Sequence, residues 1–175
     1  MRRNVFILVL ILLLILFAIY KNTDRPDTNK NYVYIEDNEE LVIENILPLS
    51  DEVGSTFSRS NSKSNIYYKF KIKNSYEDKA KYKILLKTKS GKAFINDRYV
   101  KILLSDKNNV TKKEYIADTT KTIIGLNKFN NKYVVYSGSL KGNGEEEFIL
   151  RLWISNASTY DDELIFDGQL SVYSY

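Results

Sequence analysis

The sequence contains no cysteine and no histidine. Without cysteine there are no disulfides, no iron–sulfur cluster, no thiol catalysis and no lipid-modified cysteine anchor. Without histidine there is no Ser-His-Asp triad, no HExxH protease and almost none of the known zinc chemistry. Any catalysis would have to come from Asp, Glu, Lys, Tyr, Ser or Thr. An excess of one charge is missing as well. The chain has 26 Lys+Arg against 22 Asp+Glu, a net +4, and two of the positive charges, Arg2 and Arg3, precede the first apolar run, which leaves +2 for residues 21–175. Nucleic-acid binding needs a concentrated basic face, and the sequence carries no such signature. Its lysines alternate with apolar residues, the pattern of a solvated sheet face.

A long apolar run is present once. In MRRNVFILVLILLLILFAIYKN, Val5–Tyr20 forms 16 consecutive apolar or aromatic residues. As a helix this run would rise about 24 Å, slightly less than a ~30 Å hydrocarbon core. Tyr20, Lys21 and the arginines can make up the difference at the interfaces. The region around Ala18 has Leu16 and bulky Ile19 and Tyr20 where a signal peptidase needs small side chains. The expectation is therefore an uncleaved signal anchor over residues 1–21, a short cytoplasmic N-terminus, and everything after Lys21 outside. Residues 22–31, NTDRPDTNKN, are polar, contain one of two prolines, and read as an extended linker.

From Tyr32 onward the hydrophobic period is two. Ile66, Tyr68, Phe70 and Ile72 alternate with Tyr67, Lys69, Lys71 and Lys73; Ala80, Tyr82, Ile84 and Leu86 alternate with lysines across the turn cluster NSYED. This pair reads as a hairpin or a sandwich corner. Further strands are expected over Val100–Leu104, over Tyr133–Leu140 with a break at Gly138, over Glu146–Ser155 and over Phe166–Tyr173. Tyr32–Ile35 and Leu41–Ile46 are strand-like, and Thr111–Leu126 alone has a weak helical pattern. About eight short strands with one polar face imply an all-β fold, an antiparallel, jelly-roll-like β-sandwich over residues 32–175.

The strand FILRLWISNA (148–157) raises a question of its own. Phe148, Leu150, Leu152 and Ile154 share the core parity, which puts Arg151 and Trp153, the only tryptophan, side by side on the outer face. Two roles fit: stacking of the guanidinium on the indole as surface cover, or a binding face. A second candidate is STFSRSNSKSN (55–65), whose Arg59 and Lys63 stand in a Ser/Asn-rich loop expected at one end of the sandwich. Arg151, Trp153, Arg59 and Lys63 are thus the candidate binding residues, with envelope polymers or other surface proteins as partners. No residue is assigned to catalysis, metal or cofactor. The acidic groups EDNEE (36–40), Asp51–Glu52, EEE (145–147) and Asp161–Glu163 offer hard oxygen ligands, but none has the spacing of an EF-hand. KGNGEEE (141–147) reads as a turn, since a phosphate loop needs a lysine after its glycines and a helix behind it.

The order PLSDEVG (48–54), IKNS (72–75), YSGSL (136–140), LRLWIS (150–155) and FDGQLSVYS (166–174) resembles exported, single-pass β-sandwich proteins of Gram-positive bacteria. More distantly it resembles the TasA and camelysin type of surface and biofilm-fibre proteins. The resemblance implies a jelly-roll behind a short apolar N-terminus and a structural or adhesive role at the cell surface. It departs from that type in lacking a cleavage site and in the 55–65 insertion. The metalloprotease assignment given to camelysins finds no support in a chain without histidine.

Overall fold

The computed structural model describes residues 32–36, 39–60, 63–110, 121–156 and 164–175. The expected anchor (1–21) and linker (22–31) lie outside them. Among the described residues, no helix is long and apolar enough to cross a membrane.

Ten strands are described: β1 (Val33–Glu36), β2 (Glu40–Ile43), β3 (Ile66–Asn74), β4 (Ala80–Thr88), β5 (Val100–Asp106), β6 (Lys121–Thr122), β7 (Lys128–Phe129), β8 (Lys132–Leu140), β9 (Glu145–Ile154) and β10 (Phe166–Ser174). They form two five-stranded sheets, ordered β1-β3-β9-β5-β6 and β2-β10-β4-β8-β7. Every pairing between named strands is antiparallel. The all-β, two-sheet expectation therefore holds. The alternating pattern works because successive side chains of a strand point to opposite faces. Ile66, Tyr68, Phe70 and Ile72 of β3, Tyr82, Ile84 and Leu86 of β4, Val100, Ile102 and Leu104 of β5, and Phe148, Leu150, Leu152 and Ile154 of β9 are all buried. Between the sheets, rings run in series from Tyr68 through Phe70, Phe148 and Tyr136 to Tyr82, with centroids 5.5–6.0 Å apart.

The two readings of β3 and β4 separate cleanly. β3 belongs to the first sheet and β4 to the second, so residues 75–79 form a corner and not a hairpin. Asn74 clasps this corner. Its Nδ2 donates to the carbonyls of Asp78 (2.8 Å), Lys141 (3.1 Å) and Leu140 (3.3 Å), and its Oδ1 accepts from the Tyr76 N–H at 3.0 Å. The turn KGNG packs against it so closely that any side chain at Gly142 would overlap the Glu77 carbonyl. Asn143 in that turn has φ +51°, as do Asn130 (+49°) and Asn131 (+59°) between β7 and β8. A two-residue turn with both residues at positive φ matches the twist of its flanking strands, and asparagine tolerates it better than most side chains.

Two expectations need correction, and one element is new. β8 runs unbroken through Gly138; its register shift lies opposite Ile84 and Leu85, where Val135 is the extra residue. Of Thr111–Leu126, the described residues are not α-helical: Lys121–Thr122 is strand β6 and Ile123–Gly125 a single 3-10 turn. Finally, a six-residue helix, α1 (Asp51–Thr56), stands where PLSDEVG leads into the 55–65 insertion.

Candidate functional site

Arg151 and Trp153 do project from the outer face of β9, but that face is not open. Trp153 is 0% and Arg151 4% exposed. The cover is built from PLSDEVG. The Leu49 N–H donates to the Ile154 carbonyl at 2.9 Å, a parallel bridge that carries the chain alongside the end of β9. Ser50 caps α1, its Oγ accepting from the Val53 N–H at 3.4 Å, and Lys101 of β5 pairs with Asp51 at 3.1 Å. The helix then lies directly on the indole: a β-carbon at Gly54 would overlap Cε2 and Nε1 of Trp153. Phe57, just past the helix, closes the arrangement edge-on, with ring centroids 6.2 Å apart. The indole N–H is buried and has no hydrogen-bond partner among the described residues.

Arg151 is held as tightly. Its Nε donates to the Phe57 carbonyl (2.8 Å), Nη1 to Ser105 Oγ (3.1 Å) and Nη2 to Asn109 Oδ1 (2.7 Å). The guanidinium stacks on Tyr67, directly opposite on β3, at 5.2 Å, and not on Trp153. Every hydrogen-bond partner is neutral. Burial therefore lowers the pKa of this arginine, while it remains a cation at ordinary pH. Asn109 reaches the guanidinium because its loop is itself fixed: Asp106 Oδ1 accepts from the N–H groups of Asn108 (2.8 Å) and Val110 (2.9 Å), and Asn109 takes φ +62°. The arginine thus joins the loop after α1, the β5 strand and the loop behind it.

The expectation of a wet outer face at Arg151 and Trp153 is therefore corrected. The periodicity assigned the right face, and a segment distant in sequence covers it. Of the 55–65 insertion, the described residues are not all loop. It starts as the last turn of α1, sends Phe57 onto the sheet, and returns with Ser64 and Asn65 buried. Arg59 is exposed; Lys63, at φ +60°, pairs with Glu44 at 2.6 Å. None of the four candidates lines the cleft on the outer face of the first sheet. Sequence reasoning missed Phe57, Tyr67, Ser105 and Asn109, which become partners of Arg151 only through the tertiary fold.

Beside this covered patch, the outer face of the first sheet bears a cleft of about 310 Å3. It is lined by Glu36, Lys69, Lys71, Lys107 and Glu147 over Phe70, Phe148 and Ile149. Its charges largely answer one another. Lys71 lies 3.4 Å from Glu145 and 3.7 Å from Glu147, and Lys73 pairs with Glu36 at 2.7 Å. That hydrogen bond lowers the Glu36 pKa and raises that of Lys73. No group of three metal-ligating side chains occurs among the described residues.

No family model, no curated protein and no solved structure matches this chain.

Proposed function

We propose that the protein is a membrane-anchored, extracytoplasmic β-sandwich of jelly-roll type, with a structural or adhesive role at the cell surface and no catalysis. The observation that carries this reading is the order of the N-terminal segments: two arginines, a 16-residue apolar run without a small-residue cleavage site, and a polar linker leading into an all-β domain. The jelly-roll assignment draws on the path β3–β4–β5 and again β8–β9–β10, in which each strand crosses to the other sheet. The structural role draws on Arg151 and Trp153, the most conspicuous polar–aromatic pair of the chain, which are engaged inside the domain.

Protease treatment of intact cells tests the anchor. The ectodomain should be shaved off while an N-terminal fragment stays with the membrane. Recovery of the bulk of the protein from the medium, starting near residue 19, would instead favour the second reading, a secreted fibre-type subunit. For that reading the relevant element is β1, which follows the linker and forms the edge of its sheet.

A further inference from the structure

The two outer faces of the sandwich treat their lysines differently. On the first sheet, lysines of β3 stand opposite glutamates of β9 in register, Lys71 against Glu147 and Lys73 against Glu145. On the second sheet, β4, β7 and β8 contain no acidic residue at all. The acidic residues of its other two strands, Asp167 of β10 and Glu40 of β2, lie at the far end, where both pair with Lys89. Lys81, Lys83, Lys87 and Lys132 consequently share a face with no carboxylate partner among the described residues.

This face also carries a ring cluster. Tyr173 stands opposite Lys83 in the β4–β10 ladder. Phe129 reaches over to Tyr173 (4.9 Å between centroids), and Tyr173 stacks on Tyr175 at 6.0 Å. The Lys83 ammonium sits 3.9 Å from the Tyr175 ring centre and 5.3 Å from that of Phe129. Lys132 crosses the sheet to Ser171 Oγ at 3.1 Å. Lys83 and Lys132, two of these four cations, are thus ordered before any ligand arrives, which lowers the entropic cost of binding an anion.

We propose that this outer face of the second sheet binds an extended anionic glycopolymer. Lys81, Lys83 and Lys132 meet its charges, while the tyrosine hydroxyls and the exposed Ser137 and Ser139 meet its sugar or polyol hydroxyls. The charge complement calls for a polyanion. The exposed serine and tyrosine hydroxyls favour a hydroxylated one over single-stranded nucleic acid, because base stacking needs open ring faces and here Tyr173 lies between Phe129 and Tyr175 while Lys83 sits over the ring of Tyr175, which leaves for a base only the rest of that 57% exposed side chain. The proposal rests on the surface reading above only for the kind of polymer within reach. Its test uses purified protein, so a failed localisation experiment and a failed binding experiment are separate results.

The full-length chain in detergent is titrated with poly(glycerol phosphate), with neutral dextran and with oligo(dT) of matched charge. Poly(glycerol phosphate) should bind at low salt and dextran should not. Lys81→Gln/Lys132→Gln, which leaves the Lys83–ring contacts untouched, should weaken binding about tenfold and flatten the dependence of log affinity on log salt by roughly one to two, near 0.7 per charge lost as for single-stranded polyanions. Lys69→Gln/Lys71→Gln on the opposite sheet should leave both values unchanged. Absence of binding at low salt, equal losses in both double variants, or tighter binding of oligo(dT) would each overturn the proposal.

Discussion

Trp153 shows what one side chain contributes when its cover comes from elsewhere in the chain. Fully exposed on one flank, the indole would add only its contact with sheet neighbours, about 1–3 kcal/mol. Enclosed by α1 and Phe57, it is a core residue on the outside of a sheet, and Trp153→Ala should destabilise the domain by about 3–5 kcal/mol in urea denaturation. Its indole N–H forgoes a hydrogen bond among the described residues, so burial of area outweighs one unmade bond here. Tyr133 offers a second residue-scale test. Burial, and then the hydrogen bond from its hydroxyl to Asp97 Oδ2 (2.8 Å), push its pKa up to about 12. An unfolded tyrosine ionises near its ordinary value of about 10. The folded state therefore keeps the proton longer, and this contribution is complete below pH 10 and lost as the pH rises to about 12. Tyr133→Phe should unfold less steeply than the parent between pH 10 and 12, measured by circular dichroism; parallel curves would show that Tyr133 does not couple to folding.

At the level of elements, legibility followed length and period. β3, β4, β5, β9 and β10 were readable because over seven to ten residues every second position is mostly apolar, which leaves little choice of core face even where Ile84–Leu86, Ile102–Leu104 and Phe148–Leu150 are continuous apolar runs. α1 was not readable. It has six residues, a glycine inside it and no apolar stripe of helical period, so its sequence alone does not favour a helix. What sustains it is the Ser50 cap, the Asp51–Lys101 pair and its seat on Trp153. The cover over Arg151 was hidden for the same reason: Phe57, Ser105 and Asn109 lie 94, 46 and 42 positions away from it. Gly54 is where this element is most exposed to change. The backbone there touches the indole, so Gly54→Ala must lift α1 off the sheet even though alanine is the better helix former. The expected loss is about 1–3 kcal/mol, accompanied by a red-shifted tryptophan emission as water reaches the ring. A gain in stability would mean that helix propensity, and not the close approach, governs this position.

The molecule as a whole depends on a core shared by two sheets whose strands alternate along the chain. Because β3, β4 and β5 step from sheet to sheet, and β8, β9 and β10 do so again, neither sheet is a contiguous piece of sequence that could fold first and wait for the other. The N-terminal edge repeats the theme: the Tyr32 N–H, at the entry to β1 of the first sheet, donates to Ser174 Oγ of β10 in the second at 3.1 Å, while the Tyr32 carbonyl accepts from the Ser75 N–H at 2.9 Å. Phe148 is the joint of this arrangement. It stacks on Phe70 within its own sheet at 5.5 Å and meets Tyr136 of the opposite sheet at 5.7 Å, and it is 1% exposed. Phe148→Leu keeps most of the volume but removes both ring contacts, so it should cost less than Phe148→Ala, for which about 3–5 kcal/mol is expected. Either loss should fall on both sheets at once. The tyrosine signals of the second sheet and the Trp153 emission of the first should move together along one denaturation curve, shifted to lower urea with its slope preserved. Two separated transitions in Phe148→Ala would show instead that each sheet keeps its own stability, and that the ring series between them is filling and not a joint.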